Sequence, residues 1–321
     1  MIQVDWQKYV ATDSWWLRVT ELCSRKLQII DAQNLPWSEI KEAIDVGSGL
    51  GQVPIYYINK GIPKCTAVEF EQEQWLVMNQ VIQDYGVMDK IHVVPTSFFS
   101  YNPSGKFITT GRKYGIASLL GVYHYYGMPL LDEMLAKIFW CSDRYVILEG
   151  RICRRDEFIV EMHEDPEFQR YEPTLNWLTW KAASSGFKLI HQQTTDPHRL
   201  LTIWEKLPTV EVSSSKELDA VGPDKNVRCP VAMFSAETIW RRKYHQTIEQ
   251  KKRTDEVVSR TRDKVLKQMR EGFKPWMFRP IIYNTSLHAL TDGEHRICYA
   301  YEAGIDMIDV VTKASWGLPG E

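Results

Sequence analysis

The sequence predicts an α/β protein: a mostly parallel sheet alternating with helices, followed by a second, smaller α+β part. Three observations carry this expectation. Short apolar runs of strand length alternate with stretches of helical periodicity as far as about Lys206. A glycine run, Gly47 to Gly51, separates the first clear strand from the helix after it. The chain has 321 residues, more than one hydrophobic core usually holds, and a Ser-, Pro- and Gly-bearing stretch between Leu207 and Arg228 divides it. The expected organisation is a first domain over 1–207, a linker over 208–226 and a second domain over 227–321.

Taken in order, an amphipathic N-terminal stretch ends near Pro36, and Glu42–Val46 reads as the first strand. A helix follows from about Gln52 to Lys60. Pro54 is tolerated in its first turn, where a missing N–H has no intrahelical partner, and Gly61 suits its exit. Cys65–Phe70 is the second strand. Trp75, Met78, Ile82 and Tyr85 then share one helical face before Gly86. Ile91–Val94 and Ile116–Val122 are the third and fourth strands, with a helix around Leu130 to Trp140 before a fifth strand, Tyr145–Leu148. A helix from Thr174 to Ser185 stops at Gly186. Phe187–Gln193 and Leu200–Glu205 read as an antiparallel pair around Asp196-Pro197.

The glycine run has a physical reason. A tight strand-to-helix turn beside a ligand excludes Cβ atoms. In Asp45-x-Gly47-x-Gly49-x-Gly51 every second residue is glycine, whereas a dinucleotide fingerprint would want its third glycine where Gln52 stands. Glu69 lies eighteen residues past Gly51, at a strand end, where a carboxylate can accept from both hydroxyls of a ribose. A strand-end glutamate facing water is the plainer alternative.

Five alternating units and a closing hairpin, with this loop and this acid, resemble the class I, Rossmann-like S-adenosylmethionine-dependent methyltransferases over about Lys41 to Lys206. The resemblance implies a sheet that is parallel except for one antiparallel strand, with S-adenosylmethionine as cofactor. It places Gly47, Ser48 and Gly49 under the methionine part, with Asp45 near the amino end. Gly51, which completes the loop, and Gly121, near the end of the fourth strand, are expected to bind the cofactor as well. Many members carry an aspartate for the adenine amino group after the third strand. Here Thr96 and Ser97 occupy that place; either hydroxyl can substitute, and Ser97 is the one assigned to the cofactor.

Methyl transfer is an in-line displacement that depends on alignment, and a base is needed where the acceptor is a hydroxyl. His124, in the run Gly121–Tyr125, is the candidate base or orienting group; a histidine packed at a strand end is the competing reading. Glu149, Arg151, Arg154 and Arg155 follow the fifth strand and can meet an anionic substrate or form a solvated loop. No Asn-Pro-Pro-Tyr-type motif appears at the Gly121–Tyr125 run after the fourth strand, which argues against a DNA base-modifying enzyme. The expected acceptor is a small or carbohydrate-like molecule, in one variant phosphorylated, methylated on oxygen.

Composition narrows the classes. A formal charge of -2 gives no whole-chain attraction to nucleic acid, although it does not exclude local binding. No apolar stretch reaches membrane-span length and no secretory leader is evident. Cys23, Cys65, Cys141, Cys153, Cys229 and Cys298 are scattered without zinc spacing, so reduced thiols, a cytoplasmic location and no metal centre are expected.

In the second domain Glu237 to Arg279 holds thirteen Lys/Arg against six Asp/Glu, a solvated basic helix or a nucleic-acid or phosphate face. Strands over Arg279–Tyr283 and Leu287–Leu290 precede Thr291-Asp292-Gly293-Glu294-His295-Arg296, then a helix, then a strand Met307–Val311. A strand ending in Asp-Gly that opens a helix with His and Arg builds an anion site. The motif resembles the Asp-Gly-x-His-Arg of the ParB/sulfiredoxin-like fold over about Val227 to Thr312. That resemblance implies a nucleotide or phosphate held by Asp292, Gly293, Glu294, His295 and Arg296, with ATP or another nucleotide and magnesium as ligands. A bifunctional kinase-methyltransferase is then one alternative, and a DNA-binding regulator that only senses the cofactor is another.

Overall fold

The structure, a computed structural model, describes residues 2–10, 14–101, 114–126, 128–153, 160–164, 169–234, 281–292, 297, 300–301, 304 and 306–314. It forms two compact units, one of residues 1–105, 111–179 and 189–206, the other of 106–110, 180–188 and 207–321.

The first unit opens with α1 (Gln7–Val10) and α2 (Ser14–Asp31). Alternation then sets in: β1 (Glu42–Val46), α3 (Gln52–Asn59), β2 (Lys64–Glu69), α4 (Gln72–Asp84), β3 (Ile91–Pro95) and β4 (Tyr114–Leu120). Beyond these come α5 (Met128–Cys141), β5 (Ser142–Arg151), the hairpin β6 (Val160–Glu164) and β7 (Gln169–Pro173), α6 (Leu175–Ser184), β8 (Phe187–Asp196) and β9 (Arg199–Lys206), although 180–188, the end of α6 and the start of β8, belong to the second unit. Seven strands make one sheet in the order β3-β2-β1-β4-β5-β9-β8. β1 is parallel to β2 and β4, β2 to β3, and β4 to β5, whereas β9 runs antiparallel to β5. The fold is therefore mixed α/β with a mostly parallel central sheet. Helices on both faces explain why β1 reads as a continuous apolar run, with Ala43, Ile44 and Val46 all buried. By register one face carries two adjoining clusters, Ile30, Val53, Tyr57, Ile116 and Ile147 in the first and Ile55, Ala67, Met78, Val81 and Ile91 in the second. Because the strand order reverses between β1 and β4, their carboxyl ends border the crevice where open α/β sheets bind ligands.

Several elements depart from expectation. β5 runs on to Arg151, so Glu149 lies inside a strand and is fully buried, not in a solvated loop. β4 stops at Leu120, and His124 sits beyond it in a single 3-10 turn, Tyr123–Tyr125. The β6–β7 hairpin between β5 and α6 was not anticipated. The stretch 208–226, expected as a linker, carries β10 (Thr209–Glu211) and α7 (Ser215–Ala220), both in the second unit. The serine run has a capping role there: Ser214 Oγ accepts from the Glu217 N–H at 3.3 Å, and Glu217 Oε2 accepts from the Ser213 N–H at 2.7 Å.

The second unit has a five-stranded sheet, β10-β11-β14-β12-β13, with β11 at Asn226–Pro230, β12 at Ile281–Asn284, β13 at Ala289–Asp292 and β14 at Met307–Lys313. Val227, Cys229, Ile281, Tyr283, Ile297 and Val310 form its core. Asp292 ends β13. Gly293, Glu294, His295 and Arg296 lie outside the described residues, as does the basic stretch 237–279. Among the described residues no helix is long and apolar enough to cross a membrane.

Candidate active site at the reversal point of the sheet

The glycine loop leaves β1 and is tied to the end of β2. The N–H groups of Gly47 and Ser48 both donate to Val68 O, at 2.9 and 3.2 Å, and Gly51 N–H donates to Ser48 O at 2.9 Å. Gly47 has φ +70°, and a Cβ there would lie 2.4 Å from Val122 Cγ2. Gly51, the N-cap of α3 at φ +93°, would meet Met78 Cγ at 2.9 Å. Both positions require glycine twice over, for dihedral and for space. Gly49 is also left-handed, at φ +53°, with only Gln74 Oε1 near, at 3.6 Å.

Glu69 does not face water. It is 4% exposed, and its carboxylate accepts three backbone N–H groups: Gly49 on Oε2 at 2.8 Å, and Phe70 and Glu71 on Oε1 at 2.9 Å each. A carboxylate has about four acceptor positions, so one remains, on the oxygen beside the glycine loop.

Asp45 is buried at the end of β1. Its Oδ1 accepts the Ser118 hydroxyl from β4 at 2.5 Å, and the Ser48 hydroxyl caps its backbone carbonyl at 2.9 Å. Its Oδ2 has no hydrogen-bond partner among the described residues. Burial pushes the Asp45 carboxyl up to about 7, against the hydroxyls of Ser118 and Ser48 and the charge of Lys26, which lower it.

Gly121 turns the chain after β4 at φ +82°, its N–H donating to Glu149 O at 2.7 Å. Beside it lies a charged cluster absent from the sequence reading as a unit. Glu149 Oε2 is 2.8 Å from Lys26 Nζ of α2 and 3.5 Å from Arg199 Nη1 of β9, and Oε1 accepts the Thr195 hydroxyl at 2.9 Å. His124 is 1% exposed, its ring 4.3 Å from that of Tyr125 and 6.0 Å from that of Tyr123. Tyr123 in turn lies against Gly150, where a Cβ would come within 2.6 Å of the phenol ring.

After β3, Ser97 is half-buried and caps its own turn, its Oγ accepting from Ser100 N–H at 3.3 Å. That turn is held from below by Lys137 of α5, a fully buried side chain whose ammonium donates to the carbonyls of Phe98 and Tyr101.

The structure thus brings Asp45, Gly47, Ser48, Gly49, Gly51, Glu69 and Gly121 together at the β1/β4 reversal, with Ser97 at the end of β3. Lys26, Ser118, Lys137 and Arg199 were not singled out from the sequence. Lys137 alone carried a local signal, a lysine within the apolar run Met134–Phe139.

No protein-family model matches the chain, and no curated protein matches it. Among solved structures it is similar to the 1,6-didemethyltoxoflavin-N1-methyltransferase of Burkholderia thailandensis, at 16% identity and a TM-score of 0.46 over 62% of this chain and 84% of that one. The magnesium protoporphyrin IX methyltransferase of Synechocystis is similar at 15% identity and a TM-score of 0.44, over 64% and 86% of the two chains. An O-methyltransferase family protein of Burkholderia thailandensis is similar at 10% identity and 0.44, over 59% and 56%.

Proposed function

We propose that the first unit is an S-adenosylmethionine-dependent methyltransferase acting on oxygen of a small or carbohydrate-like acceptor. The observation that carries the reading is Asp45 Oδ2, a buried carboxylate oxygen without a hydrogen-bond partner among the described residues, beside a glycine loop that excludes side chains. An unpaired buried acceptor is costly, and a ligand donor removes that cost. The residues present fit the cofactor. Asp45 faces its α-ammonium, Gly47, Ser48 and Gly49 pass beneath its amino-acid chain, the remaining position on Glu69 Oε2 takes a ribose hydroxyl, and Ser97 stands where the adenine is read.

When bound, S-adenosylmethionine supplies a methyl group activated on a sulfonium. The protein's own contribution is to align the acceptor oxygen and to exclude water. His124 is the proposed proton acceptor for a hydroxyl substrate, while an already ionised oxygen needs none. Its burial also supports a packing role. Calorimetry with S-adenosylhomocysteine, with NADH as control, tests the assignment: micromolar binding of the former is expected, and no binding at millimolar concentration overturns it.

For the second unit the proposal is a ParB/sulfiredoxin-like domain holding a nucleotide with magnesium at Asp292 to Arg296, as in a bifunctional kinase-methyltransferase with a phosphorylated acceptor. What supports it is the sequence motif. Titration of the full chain with ATP, CTP and ADP, with and without magnesium, is expected to show binding that Arg296→Ala abolishes. A DNA-binding regulator is supported only by the basic stretch 237–279, and would show duplex binding that weakens steeply with salt.

A further inference from the structure

The charged cluster beside Gly121 is costly to bury. Glu149 is fully buried in β5, and Lys26 and Arg199 converge on its Oε2 from two different elements, with Thr195 serving the other oxygen. One cation neutralises one carboxylate, and buried ion pairs give little net stability over apolar packing. The second cation is therefore surplus to the fold. Arg199 is bound on both sides, since its Nε also lies 3.6 Å from Asp196 Oδ2. Lys26 is the one that can be spared, because its removal leaves Glu149 with Arg199 and Thr195.

Lys26 also stands in a particular place. A Cβ on Gly121 would be 3.4 Å from its Nζ, which puts the ammonium at the end of β4. Its charge reaches Asp45 at the end of β1. The Lys26 side chain is 12% exposed and so not sealed from a ligand. Two opposite charges thus border the crevice: a carboxylate oxygen seeking a donor on Asp45, and an ammonium with donors to share on Lys26. An amino acid's zwitterionic end has the complementary pair.

We infer that Lys26 binds the α-carboxylate of the cofactor's amino-acid end, and that in the ligand-free protein Glu149 holds it in position. The inference rests on the methyltransferase reading of this site and names a residue for it. On binding, the ligand carboxylate joins Lys26, while Arg199 and Thr195 keep Glu149 neutralised and hydrogen-bonded.

The test compares the full-length protein's affinity for S-adenosylhomocysteine with that for 5′-methylthioadenosine, which has the same adenosine and thioether but no amino acid. Lys26→Met is expected to weaken S-adenosylhomocysteine binding by roughly 10- to 100-fold, the worth of a charge-assisted hydrogen bond. Its affinity for 5′-methylthioadenosine is expected to stay within about threefold, and Lys26→Arg to restore most of the loss. Unchanged S-adenosylhomocysteine affinity in a folded Lys26→Met protein overturns the inference, and so does an equal loss for both ligands. If the wild type binds neither compound, the methyltransferase reading itself falls. Should Lys26→Met not fold, Glu149→Gln gives the answer: it removes the competing carboxylate and is expected to tighten S-adenosylhomocysteine binding several-fold, whereas no change or weaker binding overturns the inference.

Discussion

The backbone N–H of Gly49 donates to Glu69 Oε2 at 2.8 Å, so the side chain expected to hold a ribose also fixes the loop beneath it. Glu69→Gln turns one oxygen into an NH2 group that must face backbone N–H donors. The expected outcome is a loss of about 1.5–3 kcal/mol in S-adenosylhomocysteine affinity together with a lower melting temperature. Calorimetry beside a thermal scan checks it. Normal affinity in a folded variant would remove Glu69 from the site.

Asp45 makes binding depend on pH. Its carboxyl ordinarily titrates near 3.8 and is held at about 7 in the fold, so the native state takes up a proton between those values. The group's contribution to stability is therefore greatest at low pH and declines as pH rises to about 7. A ligand ammonium requires the carboxylate form, so binding releases that proton. S-adenosylhomocysteine affinity is expected to rise with pH, by up to about tenfold per unit below 7 and then to level off. Asp45→Asn should bind weakly and without that slope; a wild-type profile flat from about pH 5 to 8 contradicts the account.

His124 separates chemistry from packing. As a base for a hydroxyl acceptor, its replacement by alanine lowers turnover by roughly 10²–10⁴ with cofactor affinity retained. A packed ring, 1% exposed between Tyr123 and Tyr125, instead predicts parallel losses of stability and of cofactor affinity. Denaturant unfolding and calorimetry on one preparation of His124→Ala decide between these outcomes.

Lys137 reaches the site through the turn it supports. Lys137→Met keeps the bulk of the side chain but strips the Phe98 and Tyr101 carbonyls of a charged donor. Unsatisfied buried carbonyls are expected to cost about 2–4 kcal/mol of stability. Because Ser97 opens that turn, discrimination between S-adenosylhomocysteine and its inosine counterpart is expected to fall as well. An unaltered ratio of the two affinities would make Lys137 structural only.

What was legible in the sequence was short-range chemistry. β1, the glycine loop, α3 and Glu69 follow from neighbouring residues, and α3 ends one residue before the expected Lys60. What was hidden depends on distant partners. Glu149 looks like a loop charge until β9 is laid beside β5, and only then do Lys26 and Arg199 acquire a common target. Ser213 to Ser215 resembled a linker because serine favours both loops and helix caps; the Glu217 contact distinguishes them. The β6–β7 hairpin carries mixed charge and weak alternation, so no strand pattern stood out.

The position of β9 bears on how the chain acquires its shape. β9 pairs with β5 along seven residues, from Tyr145 opposite Glu205 to Arg151 opposite Arg199, and it separates β5 from the sheet edge. During synthesis β5 is complete more than forty residues before β9 begins, so its hydrogen-bonding edge must wait unpaired while β6, β7, α6 and β8 emerge. An open apolar edge is a template for strand addition by another chain. A fragment ending at Ser184 keeps the glycine loop, Glu69 and Asp45 but lacks β9, the strand that covers Val146, Ile147 and Leu148, and is expected to aggregate through that edge.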